Sequence, residues 1–336
     1  MRRLFILLAA AGSLQAAPFD YSPPKELQLS SPRDFSLYAD ALLLQAKEMG
    51  LETAVLDTNG NVSPITGGNV LGFSSGHSDY DWNPGARLGM NFLFREDSWD
   101  IDIAWMWLKV TNGKNFTAPG SGVLIPLWLL PIGVPTSTNQ TAHAVWNVNY
   151  NILDARMGKW FHISYSFLAH PHFGARIAVI DQHFSIHYGG LFGAVEGAIP
   201  HMDNDCIGFG VRGGFDTEWR LGRYWHLFGN IAGALLWTHF QTTQELSQGS
   251  VEGYDLESDF NDNTPNLEIV GGAGWGRSFF KDRFKFSAKI AYEFHEWWDM
   301  NQLRRFFSGS AGYANDVVSR GNFTLNGFSF RLQVNL

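Results

Sequence analysis

The sequence predicts an all-β protein: a single antiparallel transmembrane β-barrel of about ten strands (eight to twelve fit), with short periplasmic turns and long extracellular loops. Three observations carry that expectation. Apolar residues recur at every second position, the period of a strand with one greasy face. The alternating stretches run about 14–18 residues, against 5–6 for ordinary globular strands. The connections between them are alternately very short and long, as outer-membrane barrels require.

Composition agrees. Of 336 residues only 17% are charged, while 15% are aromatic, with 13 Trp, 27 Phe and 10 Tyr. Mean hydropathy is nonetheless −0.12, so the apolar residues are not gathered into the runs of about 20 that a membrane helix needs. The aromatic content excludes a disordered chain. A net charge of −8 argues against nucleic acid as a partner. The single cysteine, Cys206, excludes an intrachain disulfide framework and a cysteine metal cluster.

Arg2 and Arg3, the apolar stretch from Leu4 to Ala11 and the small residues Ala16 and Ala17 have the layout of a secretory signal peptide. Residues 1–16 are read as that signal, 17–34 as a proline-bearing periplasmic lead-in and 35–336 as the barrel. Loss of two arginines makes the mature chain more acidic still. The apolar run from Val123 to Val134 carries Pro126 and Pro131 and is too short to cross about 30 Å as a helix.

Ten strands are expected, at 36–47, 83–95, 98–110, 143–158, 166–187, 205–221, 223–241, 265–279, 283–299 and 322–336. In the first, Leu42, Leu43 and Leu44 read equally well as helix or strand. In the third, Trp99, Ile101, Ile103, Trp105 and Trp107 alternate with Asp100, Asp102, Ala104, Met106 and Leu108. In the sixth, Ile207, Phe209, Val211, Phe215, Trp219 and Leu221 oppose Arg212, Asp216, Glu218, Arg220 and three glycines. The ninth sets Phe284, Phe286, Ala288, Ile290, Tyr292 and Phe294 against Lys285, Ser287, Lys289, Glu293 and His295. The last alternates Phe328, Phe330, Leu332, Val334 and Leu336 with Ser329, Arg331, Gln333 and Asn335. Alternation breaks near Ile152–Leu153 and near Gly327, where bulges are expected. Trp82, Trp99, Trp160, Tyr224, Trp225, Trp237, Trp275, Trp297 and Trp298 suit two interfacial girdles. A secreted β-sandwich would also alternate, but with charges facing water on short strands.

Several stretches resemble a known family. Tyr38 to Glu52 (YADALLLQAKEMGLE), Asp81 to Gly89 (DWNPGARLG), Trp146 to Asp154 (WNVNYNILD) and the closing strand look like the Legionella-type major outer membrane proteins. Relatives of that family abound in Chlamydia-related bacteria. The resemblance implies a pore-forming protein of the bacterial outer membrane and supplies no catalytic residue. One departure is Leu336 where such chains usually end in Phe.

Other motifs carry little. Gly208-Phe209-Gly210-Val211-Arg212-Gly213 matches a dinucleotide fingerprint, but inside an alternating strand rather than a strand–turn–helix. Gly72-Phe73-Ser74-Ser75-Gly76 matches a nucleophile elbow with no helix after it. His183 and His187 share a strand face but lie about 13 Å apart along it, too far to share a metal. His295-Glu296-Trp297-Trp298 lacks the second histidine of a zinc protease. A Ser/His outer-membrane hydrolase is the enzymatic alternative; the chain is otherwise read as no enzyme, with no cofactor and no metal. Cys206 is expected at the barrel rim, just after a loop, where an intermolecular disulfide is the functional alternative. Glu245, Glu252, Asp255, Glu257, Asp259 and Asp262 make the expected 244–263 loop acidic.

The expected function is passive diffusion of small polar solutes through a lumen that selects by size and charge. The expected pore-lining residues are Arg87, Arg95, Asp100, Asp102, Arg212, Asp216, Glu218, Arg220, Lys285, Lys289 and Glu293. Partners would be outer-membrane lipid, lipopolysaccharide and the permeant solutes, with association of identical chains left open. Ten strands sit near the eight whose interior is filled by side chains and far from the 16–18 of open porins. A structural or adhesive surface barrel, acting through its loops, is therefore the alternative.

Overall fold

The computed structural model describes residues 33–336 apart from 59–67, 74–79, 95–97, 121, 130–139, 191–198, 248–253, 280–283, 309–313 and 319. The expected signal peptide and nearly all of the lead-in lie outside the described residues, as do Arg95 and the turn at Lys281 and Asp282.

The described strands are β1 (Arg33–Glu48), β2 (Glu52–Asp57), β3 (Asn69–Gly72), β4 (Trp82–Phe94), β5 (Trp99–Thr117), β6 (Val123–Pro126), β7 (Thr141–Lys159), β8 (Phe161–His162), β9 (Phe167–Gly189), β10 (Ile199–Arg220), β11 (Trp225–Ser247), β12 (Asp255–Phe279), β13 (Phe284–Asn301), β14 (Arg304–Ser308), β15 (Ala314–Val318) and β16 (Gly321–Asn335). Ten of them pair antiparallel in the order β10-β11-β12-β13-β16-β1-β4-β5-β7-β9, and β9 returns to β10. The sheet is therefore a closed ten-stranded barrel, which leaves no unpaired edge in lipid. β1 is a strand throughout: its register against β4 and β16 turns Leu42 and Leu44 inward and Leu43 outward.

β5, β10, β11 and β12 are longer than expected, each at the long-loop end. β9 and β11 have 23 residues and β12 has 25. A tilted strand needs only about 9–11 to cross a bilayer, so roughly half of each long strand stands clear of it. This corrects the reading of 244–263 as a loop. Asp255, Glu257 and Asp259 lie on the outward face of β12, opposite Glu245, Thr243 and Gln241 of β11.

Along these strands the inward and outward faces exchange polarity. Toward the short-turn end, the outward face carries Ile103, Trp105, Phe209, Val211, Ile231, Leu235, Ile290 and Phe330, all exposed, and the inward face carries charges. Toward the long-loop end, the outward face becomes Lys109, Thr111, Asn149, His183, Gln241 and Asn261, while the inward face becomes Leu108, Val110, Trp146, Phe184, Phe240 and Phe323. The exchange explains the two breaks in alternation. The register runs without a shift through Ile152–Leu153 of β7 and through Gly327 of β16, so neither is a bulge. At Ile152 an inward apolar run ends and at Leu153 an outward one begins. The shift that does occur in β13, between Trp297 and Asn301, contains Asp299 at φ 55°.

Aromatic belts bound the greasy outward zone, with Trp99, Trp219, Trp225 and Trp275 toward one edge and Trp82, Trp107 and Trp237 toward the other. Trp297 is not among them. It is buried inside the barrel, where its Nε1 donates to Tyr150 Oη at 3.3 Å. Cys206 is also inside, eight residues into β10 and buried between Ile180 and Phe240 by register. The rim position expected for it is thus corrected, and its burial withdraws it from an intermolecular disulfide.

The long-loop half has an apolar core of its own. Phe73 packs on Trp146 and Phe184, Trp128 on Phe184, Trp146 on Phe323, and Tyr150 on Trp297, with ring centroids 5.5–6.1 Å apart. Part of this core comes from the connections. β2, β3 and β6 form a small sheet in the order β3-β2-β6. From it and the residues flanking it, Leu51, Ala54, Leu124 and Trp128 enter the barrel's core cluster. Trp128 Nε1 donates to the Glu52 carbonyl at 2.7 Å, Tyr188 Oη to that of Thr53, and Tyr254 Oη to that of Trp128 at 2.9 Å. The apolar run at 123–134 is therefore used as a plug, in its described part.

Candidate functional site in the barrel interior

The inward face of the membrane half holds a continuous array of ion pairs, much of it dictated by strand register. Asp40 of β1 lies opposite Arg87 of β4 on one side and Arg331 of β16 on the other. It bonds both, at 2.8 and 2.7 Å. Asp102 lies opposite Arg156 (3.0 Å), Asp154 opposite Arg176 (2.6 Å), Asp216 opposite His170 (3.2 Å) and Glu268 opposite His295 (3.2 Å). Direct cross-strand neighbours have Cβ atoms about 5 Å apart, which a carboxylate and a guanidinium bridge without strain.

Other pairs cross the lumen. Arg87 reaches Glu293 of β13 at 2.7 Å, and Arg156 of β7 reaches Asp216 of β10 at 3.2 Å. Arg176 of β9 and Arg212 of β10 both grip Glu268 of β12, at 2.6 and 2.7 Å. His170 sits between Asp100 (2.7 Å) and Asp216, and His295 between Glu268 and Glu293 (3.1 Å). Carboxylates only accept, so a ring bonded to one through each nitrogen donates from both and is positively charged. Five arginines and three histidines, with His172 also on Asp216 at 3.2 Å, face seven carboxylates: Asp40, Asp100, Asp102, Asp154, Asp216, Glu268 and Glu293. Tyr38 joins its two halves, donating to Asp102 at 3.1 Å while the Arg331 guanidinium lies 4.0 Å over its ring.

Glycine makes room for this crowding. A Cβ on Gly89 would fall 2.3 Å from Tyr38 Oη, and one on Gly210 would fall 2.0 Å from the Leu235 carbonyl oxygen. The glycines of the 208–213 match are therefore wall positions, and they cradle no phosphate. Among the described residues a cavity of about 80 Å³ is lined by Arg87, Asp102, Arg156, Arg176, Arg212 and Asp216 among others. Ligand pockets are typically about 300–1,000 Å³, so this one is smaller, with room for several waters.

Ten of the eleven expected pore-lining residues are described. Arg87, Asp100, Asp102, Arg212, Asp216 and Glu293 belong to the array. Glu218, Arg220, Lys285 and Lys289 lie on the same inward face nearer the short-turn end, with Arg220 3.7 Å from Glu218 and Lys289 over the Phe228 ring at 5.1 Å. Sequence reasoning placed His295 and Arg331 on the polar face without naming them as lining residues, and missed Tyr38, Asp40, Asp154, Arg156, His170, His172, Arg176 and Glu268. Parity finds each of them once the face exchange is known. Asp154 and Arg156, for example, continue the inward even positions of Trp146, Val148 and Tyr150. Among the described residues no three His, Cys, Asp or Glu side chains are gathered to hold a metal ion.

A closed barrel with a lipid-facing belt, two aromatic borders and a charged interior is an integral outer-membrane protein. The chain belongs to the Legionella pneumophila major outer membrane protein family, whose model matches residues 30–336. No curated protein matches it. Among solved structures, it is similar to the outer membrane protease OmpT from Escherichia coli at 10% identity, covering 91% of this chain and 97% of that one, with a TM-score of 0.44. It is similar as well to a deltaS2S3 mutant of the monoaromatic hydrocarbon channel TodX (10% identity, 90% and 89% covered, TM-score 0.33). A Pseudomonas aeruginosa FadL homologue is more distant, at 6% identity, 90% of each chain and a TM-score of 0.25.

Proposed function

We propose that the chain serves as a surface barrel of the outer membrane whose lumen is closed to passive diffusion in the described state, and that it works through its long-loop end. One observation carries the reading. Described side chains cross the lumen at both levels, as ion pairs in the membrane half and as packed aromatic rings above them. Removing the β2–β3–β6 plug alone would still leave Trp146, Phe184, Phe323 and the ion pairs in the way. In this reading the long-loop end faces the cell exterior, lipid and lipopolysaccharide surround the belt, and the chain catalyses no reaction.

The pore reading has a specific observation of its own. The inward face of the membrane half is charged, and its small cavity gives it a foothold for water, as a conducting lumen requires. Purified barrel in a planar bilayer decides between the two. The closed reading expects no steady conductance from the parent and none from a variant lacking residues 123–129. Steady channels from the parent would replace it with the pore. A protease site placed within 248–253 should be cut on intact cells, and protection there would invert the orientation.

A further inference from the structure

Beyond the lipid belt, four of the eleven histidines face outward together on the wall of β7, β9 and β10. His143 lies directly opposite His187, and His183 directly opposite Asp203. His201 lies opposite Ser185 and is therefore diagonal to both His183 and His187. The best-formed group is His183, His201 and Asp203. The two rings are 6.0 Å apart between centroids and 24° from parallel. His183 Nδ1 is 2.6 Å from Asp203 Oδ1, and the other carboxylate oxygen accepts from Thr243 Oγ1 at 3.2 Å. Because a carboxylate only accepts, Nδ1 of His183 carries a proton, and in the neutral ring Nε2 keeps its lone pair. A carboxylate behind a histidine is the usual outer support of a metal-ligating imidazole.

We propose that Nε2 of His183 and of His201 together bind one divalent transition-metal ion of the zinc, copper or nickel class, with Asp203 positioning His183 and water completing the shell. Metal–nitrogen bonds of about 2.0–2.1 Å put the ring centroids of two such ligands roughly 5–6 Å apart, close to the 6.0 Å between these two. His201 is exposed and His183 half-exposed, and the Asp203 bond uses only Nδ1 of His183. Imidazole selects this class of ion over calcium or magnesium, which prefer oxygen. The neighbouring Asp181 and Asp205, paired across β9 and β10, add a negative field that draws cations toward the site.

The test is zinc titration, by calorimetry, of tag-free barrel folded in detergent and stripped with chelator, together with copper electron paramagnetic resonance. One ion per chain is expected, with two nitrogens coupled to copper. His183→Ala and His201→Ala should each weaken zinc binding at least tenfold. Asp203→Asn should weaken it less while keeping both nitrogens, and His239→Ala should change nothing. No binding by the parent overturns the proposal. So does binding that survives His201→Ala, or that is lost in His143→Ala instead, which would move the ion to the His143–His187 pair.

Discussion

From Trp99 to Trp107, β5 turns tryptophan and isoleucine outward and Asp100 and Asp102 inward. From Leu108 to Asn115, the same strand turns Lys109, Thr111 and Asn115 outward and Leu108 and Val110 inward. Neither pairing register nor backbone direction changes between the two lengths; the medium outside does. In the membrane half the outward face enters lipid, and the drive to fold comes from moving that face out of water. In the long-loop half the outward face stays in water, and the drive comes from burying the inward one. The interiors then do different work. The aromatic core stabilises its half by area, whereas the ion-pair array makes its half unambiguous. A slip of one residue would exchange the two faces and put several arginines in lipid at about 2–4 kcal/mol each near the midplane.

The largest effect should therefore come from breaking the array at its most connected member. Arg176 is almost wholly buried and holds both Asp154 and Glu268. Arg176→Met leaves two buried carboxylates short of a partner, a loss of about 3–5 kcal/mol for a broken buried pair. Urea unfolding of the refolded barrel measures it. A loss below about 1 kcal/mol would mean that the interior is hydrated enough to solvate free carboxylates, which would itself favour the pore. In the other half, Trp146→Ala should cost about 3–5 kcal/mol for a different reason, the cavity left by a large buried ring, and should leave the array intact.

A second pair of variants asks where the exchange of faces falls. Ile231 and Gln241 lie on the same outward face of β11, ten residues and about 33 Å of strand apart. Ile231→Arg places a charge in the lipid belt and should cost about 2–4 kcal/mol.

Period-2 alternation was enough to find all ten barrel strands and to put charge on the correct face of the membrane half. It was not enough to find where the strands end. Pattern reading assigns one medium to each face, so the changes of face near Ile152–Leu153 and Gly327 read as bulges, and Leu108, Val110, Trp146 and Phe323 do not read as a second core. The long-range members of the array were hidden for a related reason. Register pairs Asp40 with Arg87 and Arg331, but only closure brings Glu268 to Arg176 and Glu293 to Arg87, and no local pattern records which strands meet across a lumen. The plug was harder still, since β2, β3 and β6 are short and are held by carbonyl contacts from Trp128, Tyr188 and Tyr254.

Crowding offers a smaller perturbation of the membrane half. Gly89→Ala would drive a methyl group into the Tyr38 ring. The ring cannot simply swing aside, because its hydroxyl is bonded to Asp102 and Arg331 lies over its face. An overpacking loss of about 1–3 kcal/mol is expected, and Tyr38→Ala in the same chain should recover part of it by vacating the space. Failure of that second change to recover any stability would assign the loss to the backbone instead.

The smallest effect is the counterpart of Ile231→Arg and the sharper test of the boundary. Gln241→Arg occupies the same face of the same strand, beyond Trp237, in the half whose exterior is water. An exposed polar-to-charged change at a paired strand position should stay within about 0.5 kcal/mol. Asp259 lies opposite Gln241 on β12, so a new arginine there also gains an opposite charge, worth at most about 1 kcal/mol at the surface and reduced by salt. Equal costs at 231 and 241 would show that lipid reaches beyond Trp237, and the outer half would lose its claim to a separate, water-facing wall. A cost at 241 that vanishes in high salt would keep the wall in water and assign the loss to local charge alone.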